Sequence, residues 1–342
     1  MSVQVVLSLD HWNAGLAGFC GGEPLLMPRV DRLAAESAVF DRHFSMSPAG
    51  DASVNGRAWA GGGWGTGPIA DPAAQQFGRA GVAAEVLTDV ETDWLALAGW
   101  ESVRVVGEGL EHAVDEAVQR LAEAGGEHHL LWVAVSGPAE GVDGEWPDNL
   151  EELDSSMTTF DRCVGAAIDG LVRTGLESEA LLVVTGGRGA WLGDRGFEDD
   201  ERTRLHEECL RSPLLLKGPM IEPGQRRLEL VQVTDLLPTL LEWFEQTPQL
   251  EGLPGINLLE LVGQDGGGHD EIVVRDSDGG WGIRSHDLFL VRSGAAGASS
   301  RLFSKPDDAW DLVDVSAQGI VDVERLNGRL DELIGAMSCG DE

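Results

Sequence analysis

The stretch Leu181-Leu182-Val183-Val184-Thr185-Gly186-Gly187-Arg188-Gly189-Ala190-Trp191-Leu192-Gly193-Asp194-Arg195-Gly196 decides the architecture. Leu181 to Thr185 form a short apolar run bounded by glycine, the pattern of a strand buried on both faces of a parallel sheet. Gly186 to Gly189 read as a loop at the carboxyl end of that strand, the edge where open α/β sheets hold their ligands. The loop has the position of a site, yet it offers no carboxylate, histidine or cysteine before Asp194.

The surrounding chain supports the same architecture. Val3 to Leu9 read as a buried strand ending at Asp10-His11-Trp12. A carboxylate and an imidazole just past a strand terminus suit a metal or a substrate. Pro28 opens an amphipathic helix, a place where its missing N–H is harmless. Val82 to Leu87, Val103 to Val106 and Leu130 to Ser136 follow as strands. Glu111 to Ala124 and Ser156 to Thr174 carry apolar residues at helical spacing. Residues 53–80, rich in Gly, Ala and Trp, read as loop and short helix. Strands alternating with helices predict a parallel sheet covered on both faces.

After about Val262 the pattern changes. Glu271–Val274, Trp281–Arg284, Asp287–Val291 and Arg301–Phe303 are short runs between Gly, Ser and Asp turns, the signature of an antiparallel meander. Val321 to Met337 close the chain as a helix. The boundary falls between an α/β domain at 1–262 and an antiparallel sheet plus helix at 263–342.

The chain has 342 residues and a formal charge of -35, with Lys217 and Lys305 as its only lysines. Such a field repels nucleic acid and anionic lipid, so neither is expected as a partner. No apolar run approaches the roughly 20 residues of a membrane span. The cysteines are scattered without metal-type spacing, which argues against zinc. With no signal-like segment ahead of Val3, a cytoplasmic location is expected.

LSLDHWNAG, followed by MPRVDRLAAESAVFDRHFSMSP, resembles the amino-terminal part of the sulfatases, within the alkaline-phosphatase-like superfamily. ALLVVTGGRGAWLGDRG, LHEECLRSPLLLKGP and VQVTDLLPTLLEWF resemble later segments of that family, in order. The resemblance implies an α/β fold with a mixed, mostly parallel sheet between helices, plus a small antiparallel C-terminal subdomain.

It also implies a nucleophile (a cysteine oxidised to formylglycine), a divalent cation, Ca or Mg, on Asp, Asp, Asp and Asn or His, and basic groups around the sulfate. Asp10 stands at the first metal position, but His11 replaces the second carboxylate. Gly187 stands where a metal aspartate belongs, and Arg188 where a histidine or asparagine belongs. Glycine has no side chain to offer, and a guanidinium has no lone pair for a cation. Arg188 is suited instead to take the metal's place as a fixed positive charge. A gapless alignment puts Gly50 at the nucleophile, with Ala52 and Val54 where proline and arginine belong. A three-residue shift puts Ser53 there, with Arg57 as the arginine that follows. Ala139 falls at a substrate histidine, and Arg202 or Arg204 at a downstream lysine.

The expectation is a sulfatase-like pseudoenzyme that needs no cofactor and binds an anionic small molecule or a protein partner through Arg188, Arg57 and His11. The alternative is an active metal-dependent sulfatase or phosphoester hydrolase. It would use Ser53 as nucleophile and hold the cation on Asp10 and His11. A nucleotide loop at Thr185 to Gly189 lacks the spacing of either phosphate-binding glycine motif. Among the 11 tryptophans, Trp59 and Trp64 lie in the nucleophile region, and core positions are the preferred reading for both.

Overall fold

The computed structural model describes residues 2–22, 26–48, 52–61, 69, 71–91, 93–100, 102–124, 128–137, 150–190, 205–244, 253, 255–263, 266–277, 279–294 and 300–339. The chain opens with β1 (Ser2–His11), α1 (Pro28–Ala34), β2 (Ala38–Phe40) and β3 (His43–Phe44). It continues through α2 (Ala52–Trp59), α3 (Ala73–Arg79), β4 (Val82–Thr88), α4 (Asp93–Leu97), β5 (Val103–Val105) and α5 (Leu110–Ala124). Next come β6 (His128–Val135), α6 (Leu150–Thr174), β7 (Ala180–Arg188), α7 (Glu207–Leu210) and β8 (Leu214–Lys217). After β9 (Gln225–Arg227), β10 (Val231–Gln232), α8 (Leu236–Trp243) and α9 (Leu258–Val262), a meander of β11 (Glu271–Arg275), β12 (Trp281–Ser285), β13 (Leu288–Arg292) and β14 (Ser300–Ser304) leads to α10 (Ile320–Cys339).

The main sheet has the order β5-β4-β6-β1-β7-β8-β2-β9, with β8 antiparallel to both of its neighbours and the other pairs parallel. This is the mostly parallel sheet that the sequence predicts. Its central strands are apolar on both sides because helices cover both sides. Val3, Val5, Leu7 and Leu9 of β1 pack with residues of α1, α5 and α6, while Val6 joins the cluster of α3 and α8. Gln4 faces that second layer and donates from Nε2 to the Leu240 carbonyl at 2.6 Å, so its amide is not stranded in the core. The amino end of α1 is capped from a distance: Asp161 of α6 accepts the backbone N–H groups of Arg29 and Val30 at 2.8 and 3.0 Å.

Residues 53–80 carry the short helices expected there, α2 and α3. Their glycines fall mainly in the turn and the segment between the helices, and tertiary packing supplies what helix propensity does not. One sequence expectation needs correction: Gly186 to Arg188 are the last turnless residues of β7 rather than a loop. β1 runs beside them in parallel register, with Leu9 opposite Gly186 and His11 opposite Arg188.

The small sheet is also apolar on both faces, and alternation along each strand divides them. Ile272, Val274, Phe289, Val291 and Phe303 pack against Phe44, Leu205, Leu210 and Leu230 of the large layer. Val273, Ile283, Leu290 and Leu302 pack against Leu326 and Leu330 of α10. A buried ionic clasp reinforces the first interface. The Lys305 ammonium lies 2.7 Å from Glu207 Oε2 and 2.5 Å from Asp311 Oδ1, and it donates to the Asp308 carbonyl at 2.5 Å. Arg284 reaches Glu207 Oε2 at 3.3 Å and lies over the Phe44 ring. Asp311 adopts a positive φ of 54°, a conformation that aspartate tolerates better than most residues. Among the described residues no helix is long and apolar enough to cross a membrane.

Candidate functional site

The carboxyl ends of β4, β6, β1 and β7 lie side by side and deliver their next residues to one edge. β4 is followed by Asp89, whose carboxylate accepts the Ser136 N–H at 2.8 Å and its hydroxyl at 2.6 Å. That pair fixes the exit of β6. Gly137 then passes against the His11 side chain so closely that a Cβ would sit 2.7 Å from His11 Cβ. A glycine is required there for steric reasons alone. The N–H of Trp12 donates to the Arg188 carbonyl at 2.9 Å, extending the β1–β7 ladder past the acidic position.

Asp10, His11 and Arg188 meet at this edge. Arg188 Nη2 donates to Asp10 Oδ2 at 3.2 Å, and His11 Nδ1 lies 3.4 Å from the same oxygen. The guanidinium side chain is 6% exposed and the Asp10 side chain 44% exposed, so the cation is inside and the carboxylate lies at the mouth. Asp10 Oδ2 is therefore already engaged by a guanidinium.

Among the described residues, this edge offers a divalent cation few side-chain oxygen donors. A hard cation needs several oxygen donors. Gly187 supplies none, Arg188 is a competing cation, and among the described residues no group of three or more His, Cys, Asp or Glu is arranged to hold a metal. Nor does the backbone leave room for the missing carboxylate. A Cβ on Gly187 would lie 2.9 Å from the Asp10 carbonyl oxygen and 3.2 Å from Asp10 Oδ1. Gly187→Asp is accordingly expected to lower stability by about 1–3 kcal/mol through overpacking. A urea titration would read this as a lower midpoint that calcium or magnesium chloride does not restore; a midpoint raised by calcium would show the opposite.

The remaining sequence candidates are carried by α2 or lie elsewhere. Asn55 of α2 pins the segment leaving β3: its Oδ1 accepts the N–H groups of Met46 and Ser47 at 2.9 and 3.1 Å, and its Nδ2 donates to the Ser47 carbonyl at 2.9 Å. Ser53 falls in the first turn of this helix and Arg57 in its last turn. Gly50, Trp64, Ala139, Asp194, Arg202 and Arg204 lie outside the described residues. Trp59 is buried and packs on Trp132 with ring centroids 5.4 Å apart, as the core reading expects.

Some polar residues behind the edge escaped the sequence reading. His43 of β3 is fully buried, with Nδ1 3.1 Å from Ser212 Oγ, while Ser212 Oγ donates to the Gly186 carbonyl at 3.1 Å. This links β3 to β7. Burial pushes the His43 pKa down to about 4, despite the Ser212 backbone contact and the Asp235 charge, which act the other way. The Asp235 carboxylate in turn receives His269 Nε2 at 2.9 Å.

A mostly parallel sheet whose strand ends bear these positions, beside a small antiparallel sheet, defines the class as the sulfatase fold. The sulfatase family model matches residues 100–246. A putative sulfatase from Bacteroides thetaiotaomicron superposes with a TM-score of 0.79 at 14% identity, covering 98% of this chain and 93% of that one. A putative sulfatase from Bacteroides fragilis superposes with a TM-score of 0.75 at 16% identity, covering 98% and 95%. In sequence, the choline-sulfatase of Rhizobium meliloti is 32% identical over 107 residues, 31% of this chain and 18% of that protein. The N-acetylglucosamine-6-O-sulfatase of Bacteroides thetaiotaomicron is 21% identical over 188 residues, 52% of this chain and 32% of that protein. The sequence likeness to the sulfatases is thus carried by residues 100–246, and the fold is the one these solved structures share. Its aligned stretches span about a third or less of the curated relatives' length.

Proposed function

We propose that this chain is a sulfatase-fold protein that does not carry out the family's metal-dependent hydrolysis of sulfuric esters and instead binds an anion at the strand-end site. The observation that carries the reading is the Arg188–Asp10 contact, a guanidinium bound to the one metal-type carboxylate kept at this edge. A cation-assisted transition state needs charge that strengthens as negative charge develops, supplied by a metal with open positions. A guanidinium already paired with Asp10 has no such position for a nucleophile.

The test is hydrolysis of 4-nitrophenyl sulfate and 4-nitrophenyl phosphate by the purified full chain. The expected rate equals the enzyme-free background in calcium, in magnesium and in EDTA. Metal-dependent turnover that disappears in Ser53→Ala would overturn the proposal and establish Ser53 as the nucleophile of an active hydrolase.

A further inference from the structure

We infer that Arg188 is a built-in cation that receives a singly charged oxyanion at the edge of β1 and β7, with no metal ion taking part. The inference rests on the reading above and adds the charge class of the ligand and the atoms that hold it. Arg188 is 5% exposed, yet among the described residues its Nε and Nη1 have no hydrogen-bond partner; only Nη2 is engaged, by Asp10. A charged donor buried without an acceptor is costly, and such groups in folded proteins usually await a water or an ion. The guanidinium plane with its N–H groups matches the oxygens of an oxyanion. The Asp10 side chain that engages Arg188 is partly exposed to solvent.

The number of charges follows from the pair itself. Arg188 and Asp10 together are neutral, so the site offers one guanidinium's attraction, already partly offset by a carboxylate. That attraction grows in proportion to ligand charge, whereas the cost of stripping water from an ion grows as its square. One negative charge is the better compromise, more so in a chain of net charge -35.

Calorimetry on the full chain with methanesulfonate and with inorganic sulfate, at matched ionic strength, separates the possibilities. Both are tetrahedral oxyanions, and they differ in charge. The expected result is methanesulfonate binding that neither EDTA nor calcium changes, with sulfate weaker. Arg188→Gln is expected to lower methanesulfonate affinity by at least about tenfold, the loss of a charge-assisted contact. Circular dichroism establishes that this variant is folded, and the EDTA and sulfate arms use the unaltered protein. Binding abolished by EDTA, tighter binding of sulfate, or no binding of methanesulfonate would each overturn the inference. A chain that neither binds methanesulfonate nor hydrolyses 4-nitrophenyl sulfate refutes this inference alone, whereas metal-dependent hydrolysis refutes the reading beneath it.

Discussion

Lys305→Met is expected to lower the free energy of unfolding by about 3–5 kcal/mol, the usual cost of removing one partner from a buried ion pair. The methionine fills most of the space, so the loss is electrostatic rather than a cavity. Lys305 and Asp311 are completely buried as side chains and Glu207 nearly so, which leaves two carboxylates in the interior without their cation. Burial on its own would raise the Asp311 pKa. His206, Lys305 and the Glu207 N–H together outweigh it and hold that pKa below the usual carboxylate range. Without Lys305 the balance at Asp311 tips toward burial, and that carboxylate takes up a proton at a higher pH. The defect should therefore shrink as pH falls toward 4, an effect that a packing defect would not show. Urea unfolding at several pH values measures both parts. A variant with the unaltered protein's midpoint at neutral pH would show that the clasp contributes nothing to stability. Because Glu207 lies on α7 and Lys305 follows β14, the clasp is what ties the small sheet to the large layer by charge.

The second large effect concerns His43. Its folded pKa is about 4, against an ordinary value of 6.5. Between those values the unfolded chain binds a proton that the folded chain refuses, so stability rises with pH across this window and is lost as pH falls through it. The difference corresponds to an effect on the order of 3 kcal/mol. His269 works in the opposite sense. Burial lowers its pKa, but the hydrogen bond and charge of Asp235 prevail and raise it. Its contribution is present at low pH and is lost as pH rises through the folded value. His43→Gln is expected to flatten the rise between pH 4 and 6.5 even if it is less stable throughout. Equal slopes for the variant and the unaltered protein would assign the acid sensitivity to other groups. Since Ser212 joins His43 to Gly186, acid protonation is expected to loosen the strand beneath the candidate site first.

Periodicity and glycine placement in the sequence were enough to read the main sheet, the meander and the long helices. Strands such as Leu181–Thr185 and Val3–Leu9 are apolar throughout because both faces are covered, and that leaves a plain signal. Residues 52–59 and 73–79 were legible only as short helix somewhere within 53–80, without their bounds. Their stability comes from packing against neighbours, which no local pattern records. The site divides in the same way. Asp10 stood out as the residue the resemblance expects, and His11, Gly187 and Arg188 as departures from it. Lys305 was visible only as one of two lysines, and His43, Ser212 and Glu207 carried no signal because their partners are distant in the chain.

By itself the sequence determined the sulfatase-type layering, since it is written in residue types at fixed places. Only the tertiary structure decided which groups meet at the strand ends. A guanidinium at position 188 becomes an internal cation because parallel register sets His11 opposite Arg188 and brings Nη2 within 3.2 Å of Asp10. Gly187 allows the two strand ends to approach that closely. Residue types name the groups available, but the energy of a charge depends on distance and burial, and those exist only in the folded chain.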